Sequence, residues 1–433
     1  MKKLRRGALA VGIVVALFGG NAPLAAASDS GSAPAAVSLA PAAIGDPSTL
    51  VAVPPSRIAD TRSGAGGVQG PVPGDTTIDI PVIGAGGVPA EATSVVLNVT
   101  AVDPQTTGFF TVFPTGATRP DASNLNFVAG KTVANLVIAR IGANGKVSLY
   151  NFGGPAHVLF DVTGYFVAGT AAGRFYPFVP NRAFDTRTSP RINGVVAPIG
   201  QAGILNLTLR NELPATSHFA AVLINVTATR STNGGYLTVY PTGDVLPTSS
   251  NLNFKAGQTV ANAVIVKLGP TSNNGAAITI FNAFGTTDVI IDVLGYFDDG
   301  TTPSGLTTPT AFRPLDQPSR VYNTRITPGP FGGQETRFVP VGGAGGAPPG
   351  AIGVVLNATV TGTTAGSYLS VWPAGLTQPT VSSVNWGPGD TVPNFVGVAV
   401  LPSGGTAGQL AVYNDAGAAD VLVDVTGYFY PVA

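Results

Sequence analysis

The chain has 433 residues, of which 44% are hydrophobic and only 10% charged, with 22 basic and 22 acidic side chains. That length suits roughly two to four domains; Gly (57) and Pro (37) together stay below the ~25–30% that marks disorder. With no cysteine, disulfides, zinc–thiolate sites and thiol nucleophiles are excluded.

From the N-terminus, Lys2, Lys3, Arg5 and Arg6 precede an apolar run from Gly7 to Gly20, and Ala25-Ala26-Ala27 offers small residues for cleavage. Residues 1–27 read as a secretory signal peptide, so a secreted, extracellular location is expected. The run is shorter than the ~20 residues of a membrane span, and no membrane insertion is expected once the signal is gone. Its removal leaves 18 basic against 22 acidic residues, a net charge of −4. No basic run remains, which argues against nucleic acid or anionic lipid as a partner. Residues 28–50, rich in Ser, Ala and Pro, predict a flexible spacer. Retention at a cell surface is expected to be noncovalent.

Six landmarks then recur three times in the same order. Arg57-Ile58-Ala59-Asp60-Thr61-Arg62 is matched at residues 182–187 and 320–325. Val96-Leu97-Asn98-Val99-Thr100 is matched around Asn225 and Asn357. Gly108 to Pro114 is matched at 235–241 and 367–373. Ser123-Asn124-Leu125-Asn126-Phe127 is matched at 250–254 and 382–386. Thr132-Val133-Ala134-Asn135 is matched at 259–262 and 391–394. Asp161-Val162-Thr163-Gly164-Tyr165-Phe166 is matched at 292–297 and 424–429. Each unit is domain-sized rather than solenoid-sized. The expected domains are 51–168, 174–299 and 311–433, joined by small, polar linkers.

Within a unit, short runs of Val, Ile, Thr, Phe and Tyr alternate with Gly/Pro/Asn/Asp turns every ~8–12 residues. No sustained 3.6-residue apolar period follows residue 27. The prediction is all-β: three tandem antiparallel β-sandwich domains of seven or eight strands, each burying one face of each sheet. Each unit is expected to fold alone around its own core.

The combination Arg-x-x-Asp-Thr-Arg, Val-Leu-Asn-Val-Thr, Tyr-Leu-Thr-Val-Tyr-Pro, Ser-Asn-Leu-Asn-Phe and Asp-Val-x-Gly-Tyr-Phe resembles a repeat of secreted proteins of actinobacteria and their relatives. It covers nearly all of residues 51–430. The resemblance implies an extracytoplasmic protein and no established activity for the repeat. Such repeats sometimes stand beside peptidase or wall-hydrolase domains, and none is evident here. The third unit departs from the pattern with Asn323 in place of the motif Asp and with Ser382-Ser383-Val384-Asn385-Trp386.

Several recurring polar residues are candidate sites. Asp161, Asp292 and Asp424 lie in otherwise apolar strands, where an unpaired carboxylate is costly. Arg57, Arg62, Arg182, Arg187, Arg320 and Arg325, with Asp60 and Asp185, are the expected partners in a structural clamp joining the first segment of each unit to its last strand. The alternative is calcium held by Asp60, Asp161 and nearby carbonyls, against which stands the lack of a ligand-dense Asp-x-Asp loop. Strand parity places Val158, Phe160, Val162 and Phe166 on one face and Asp161 on the other. Asn98, Asn225, Asn357 and Asn206 lie in Asn-x-Thr triplets; for the first three, a mid-strand hydrogen-bonding role is expected over glycosylation.

The third landmark alternates regularly. Phe109 and Phe113, Tyr236 and Tyr240, and Tyr368 and Trp372 share one face, an aromatic stripe that could stack sugar rings. Cross-strand packing under a loop is the competing reading. Glu91, Glu212 and Glu335 are not equivalent within the repeat. His157 is replaced by Asp288 and Asp420, suggesting a surface position, and His218 has no equivalent. No nucleophile elbow, zincin, phosphate-loop or dinucleotide motif is present. The expectation is a non-enzymatic structural or adhesive cell-surface protein without cofactor, whose partners are other surface proteins or a cell-wall polymer. The alternative is a carbohydrate-binding protein using the aromatic stripes.

Overall fold

Apolar and polar residues alternating with period two turn each repeat into eight antiparallel strands. The computed structural model describes residues 47–169, 171–189, 196–209, 219–270, 277–301 and 308–432. The expected signal peptide, most of the spacer, Glu212 and His218 lie outside the described residues.

The first repeat contains β1 (Ser48–Asp60), β2 (Thr76–Pro81), β3 (Ala92–Val102), β4 (Gly108–Pro114), β5 (Leu125–Phe127), β6 (Val133–Arg140), β7 (Lys146–Phe152) and β8 (His157–Ala168). The second contains β9 (Phe175–Asp185), β10 (Gly203–Thr208), β11 (Phe219–Thr229), β12 (Gly235–Pro241), β13 (Leu252–Phe254), β14 (Val260–Lys267), β15 (Ala277–Asn282) and β16 (Asp288–Asp298). The third contains β17 (Thr310–Asn323), β18 (Glu335–Pro340), β19 (Gly353–Thr361), β20 (Ser367–Pro373), β21 (Val384–Trp386), β22 (Val392–Ala399), β23 (Gln409–Asn414) and β24 (Asp420–Pro431).

In the first repeat one sheet runs β1-β8-β3-β6 and the other β2-β7-β4-β5, and the other two repeats follow the same order. Early strands pair with late ones throughout, which is a long hairpin folded over on itself: an eight-stranded jelly roll. The chain is thus all-β, with a two-layer antiparallel sandwich in each repeat. Between the layers lies a core of residues such as Val99, Phe110, Leu149 and Phe160, with matching sets in the second and third repeats.

A further core lies outside all three sandwiches. The inner sheets join into one twelve-stranded sheet where β1, β9 and β17 begin, with Ser48 opposite Phe312 and Thr310 opposite Phe175. Their outward faces pack on one another. Leu50, Leu136 and Phe166 of the first repeat meet Phe175, Leu223, Ile265 and Phe297 of the second and Phe312, Phe395 and Phe429 of the third. The rings of Phe175 and Phe429 are 4.2 Å apart, and those of Phe166 and Phe312 4.5 Å. Each such side chain contributes roughly 1.5–3 kcal/mol when fully buried. The expected units therefore meet on a shared core as well. Each repeat has a core of its own, but the outer face of its inner sheet is apolar and is covered by the other two.

Two corrections follow. Phe166 does not share a face with Val158, Phe160 and Val162. Val96 pairs with Gly164 and Leu97 with Val162, so Thr163 is an extra residue and the strand changes sides there. Phe166 consequently enters the shared core while Tyr165 packs against the sandwich core. The glycine beside it is required by close approach: a Cβ added at Gly295 would overlap the Phe175 ring, and one at Gly427 the Phe312 ring. The spacer also ends sooner than expected, because Ser48, Thr49 and Leu50 are buried in β1.

Candidate functional site

The recurring polar residues collect where one repeat meets the next. In the first repeat, Arg57 on β1 lies opposite Asp161 on β8. Its Nε donates to Asp161 Oδ1 at 2.8 Å and its Nη2 to Oδ2 at 3.0 Å, a two-pronged grip. Its Nη1 reaches Asp60 Oδ2 at 3.4 Å, and Asp60 in turn accepts from Arg62 Nε at 2.9 Å and Nη2 at 2.7 Å. Four alternating charges result, Asp161–Arg57–Asp60–Arg62, and they sum to zero. The second repeat builds the same quartet from Asp292, Arg182, Asp185 and Arg187. In the third, Arg320 grips Asp424 at 2.8 and 2.9 Å, but Asn323 interrupts the series.

Burial dominates the innermost carboxylates. It pushes Asp292 up to about 6 although Arg182 pulls the other way, and it raises Asp161 and Asp424 for the same reason. Asp60 is held below its ordinary value by the hydrogen bond from the Arg62 side chain. At Asp185 burial is the largest single influence and acts upward, yet the side-chain and main-chain bonds from Arg187 together leave it lowered.

The calcium alternative does not fit this arrangement. A guanidinium already stands between Asp60 and Asp161, and Arg62 engages both oxygens of Asp60. Among the described residues no group of three or more carboxylate or histidine side chains could hold a metal ion.

The motif threonines tie down the start of the last strand. Thr61 Oγ1 accepts from the Val158 amide and lies 3.0 Å from His157 Nδ1, while Thr186 and Thr324 donate to Asp288 and Asp420 at 2.7 Å. His157 and its counterparts are therefore half-buried or buried partners of the motif rather than surface positions.

The asparagines join the repeats to one another in a cycle. Asn98 donates to the Ser250 carbonyl at 2.6 Å, Asn225 to Ser382 at 2.6 Å, and Asn357 to Ser123 at 2.7 Å. Each thus reaches the loop after the fourth strand of another repeat: first to second, second to third, third to first. A second cycle overlies it. Asn262 donates to Asn98 Oδ1, Asn394 to Asn225 Oδ1 and Asn135 to Asn357 Oδ1, at 3.0 to 3.2 Å. The Oδ1 atoms of Asn135, Asn262 and Asn394 accept main-chain amides of Phe395, Leu136 and Ala263, again across repeats. All six side chains are buried, so Asn98, Asn225 and Asn357 are inaccessible to glycosylation in the folded chain. Asn206 is on an exposed face of β10.

Asn135, Asn262 and Asn394 were not among the expected site residues. The available signal was their recurrence in every repeat at a position with no local turn to make.

The aromatic stripe is largely covered. Phe113, Tyr240 and Trp372 are buried, while Phe109, Tyr236 and Tyr368 are half-buried. The hydroxyls between them, Thr111, Thr238 and Ser370, donate to the carbonyls of Ala122, Ser249 and Val381, which pins the loop over the strand. Trp372 Nε1 donates to Leu376 of the same loop at 3.0 Å. The loop satisfies the strand's polar groups and covers one ring of each stripe, while Phe109, Tyr236 and Tyr368 keep part of their surface, Phe109 in a cleft between the first and third repeats.

No family model and no curated protein matches the chain. Among solved structures it is similar to one described as "The Triple Jelly Roll Fold and Turret Assembly in an Archaeal Virus", at 12% identity over 88% of this chain and 91% of that one, with a TM-score of 0.20. It is similar also to one described as "Life in the extremes: atomic structure of Sulfolobus Turreted Icosahedral Virus", at 12% identity over 89% and 92%, with a TM-score of 0.17. Scores this low carry no argument. Among the described residues no helix is long and apolar enough to cross a membrane.

Proposed function

We propose that the protein is a secreted, non-enzymatic structural or adhesive component of a cell surface, acting by presenting the outer faces of three jointed jelly rolls. One observation carries the reading. The recurring Arg, Asp, Asn and Thr side chains, the natural candidates for chemistry, are engaged with one another as joints within and between repeats. A catalytic carboxylate or base must instead be free to exchange a proton with a substrate. The basic n-region and apolar run of residues 1–20 support export, and the net charge of the remainder supports a partner other than nucleic acid. The glycan reading through the aromatic stripes is the weaker one, since the loops cover Phe113, Tyr240 and Trp372 and leave only one half-buried ring in each stripe.

Two measurements test this. Intact-mass analysis of protein recovered outside the cell should give a chain beginning near Ser28. Incubation of that protein with peptidoglycan, common polysaccharides and peptides should give no turnover. Turnover that disappears in Asp292→Asn, with the fold retained, overturns the proposal.

A further inference from the structure

The three seams are not chemically equal. Where the second and third repeats rest on the first and second, the motif arginines Arg62 and Arg187 each hold a carboxylate in both hands. At the seam between the third repeat and the first, Asn323 takes the place of that carboxylate. Arg325 there has only the Asn323 Oδ1 atom, 3.2 Å from its main-chain amide and 3.4 Å from its Nε. Among the described residues it makes no ion pair, and Asp424, which feels its charge, is gripped by Arg320 instead. Its guanidinium is exposed and lines a cleft of ≈ 220 Å³ between the two repeats.

The other wall differs from its counterparts too. The loop after β4 brings Arg119 and Asp121 to the cleft, where the equivalent loops carry Leu246 and Thr248, and Gln378 and Thr380. Arg119 is steadied over the Tyr150 ring at 3.8 Å. Arg119, Arg320 and Arg325 line the cleft with one acid, Asp121, and the buried Asp424 behind it neutralises Arg320, which leaves one net positive charge. Its remaining polar lining is neutral: Ser123, Thr359, Thr361, Thr391 and the amide of Asn126.

We infer that this cleft is a binding site for a hydroxylated monocarboxylate of the sugar-acid class. A guanidinium without a carboxylate in its own chain presents the planar fork that a carboxylate fills with two parallel bonds. One net charge matches a carboxylate and leaves a phosphate dianion half neutralised. Hydroxyl and amide groups around it suit a ligand with several hydroxyls. The two sister seams supply the comparison: each closes its arginine internally and has no such vacancy in its charge pattern.

The test uses the whole secreted chain. Glucuronate, glucose, acetate and glucose 6-phosphate are titrated separately by calorimetry or saturation-transfer NMR at low ionic strength. Glucuronate is expected to bind at least about tenfold more tightly than glucose, the effect of one charge-assisted interaction, and more tightly than acetate. Asn323→Asp installs the carboxylate that the sister repeats carry, so the fold is retained and the site is closed from within. It should weaken glucuronate binding about tenfold, as should Arg325→Gln, with melting temperature unchanged or, for Asn323→Asp, raised. Equal binding of glucose, unchanged binding in Asn323→Asp, preference for the phosphate ester, or no binding of any of the four overturns the inference.

Discussion

Asn357 donates its side-chain amide to the main-chain carbonyl of Ser123 at 2.7 Å, across 234 residues of sequence, and so fastens the third repeat to the first. The contact repeats the ones from Asn98 to Ser250 and from Asn225 to Ser382. Replacing any of the three by Ala strips a buried or half-buried carbonyl of its donor, at a cost of about 1–3 kcal/mol. Urea unfolding of Asn98→Ala, Asn225→Ala and Asn357→Ala should show losses of similar size. Losses below about 0.5 kcal/mol at all three would mean that packing alone holds the loops.

Residues 174–299 expressed alone should not behave as a soluble monomer. Leu223, Ile265, Leu294 and Phe297 would lose their covering from the other repeats and form an apolar face. Light scattering after size exclusion should find association. A monodisperse monomer with a sharp melting transition would show that the shared core is dispensable.

Asp161→Ala removes one partner from a buried ion pair and leaves Arg57 facing a void. The expected loss is about 3–5 kcal/mol. Added chelator should leave the melting temperature of the unaltered protein where it was, because Arg57 already occupies the space between Asp60 and Asp161. A fall on chelation would restore the calcium reading.

Stability should peak in mild acid. Asp292 titrates near 6 in the native state against an ordinary value of 3.8, so the folded chain binds its proton more strongly. Its destabilising influence is full above about pH 6 and is relieved as pH falls towards 4. Asp161 and Asp424 act in the same direction. Asp60 and Asp185 are lowered, so the stability they contribute is present above the ordinary carboxylate range and is lost as pH falls below it. Melting temperature should therefore rise from pH 7 towards pH 5 and drop again below pH 4. Asp292→Asn should flatten the rise while leaving the acid drop.

The all-β class and the two-layer sandwich are legible in the sequence because a half-buried strand imposes a period of two, which Ile78-Asp79-Ile80 and Leu205-Asn206-Leu207 show directly. The shared core leaves a fainter mark. In Val95-Val96-Leu97 and Leu223-Ile224, adjacent residues are both apolar, the pattern of a strand covered on both faces. The side taken by Phe166 depends on one extra residue at Thr163, and a shift of one residue exchanges the faces of a strand. The partners of Asn98 and Asn135 belong to other repeats, which no local periodicity can register. The stripe of Phe113, Tyr240 and Trp372 alternates in the same way whether solvent or a loop lies above it.

Covalent linkage gives the threefold arrangement a freedom that separate subunits lack. In an assembly of three identical chains, any substitution at a seam appears at every seam, so a change that suits one place must be tolerated in all. Here each repeat is encoded once. Asn323 could replace an acid in the third without disturbing Asp60 or Asp185 in the others. Two seams can remain fastenings while the third diverges, and a near-symmetric body acquires a distinguishable side.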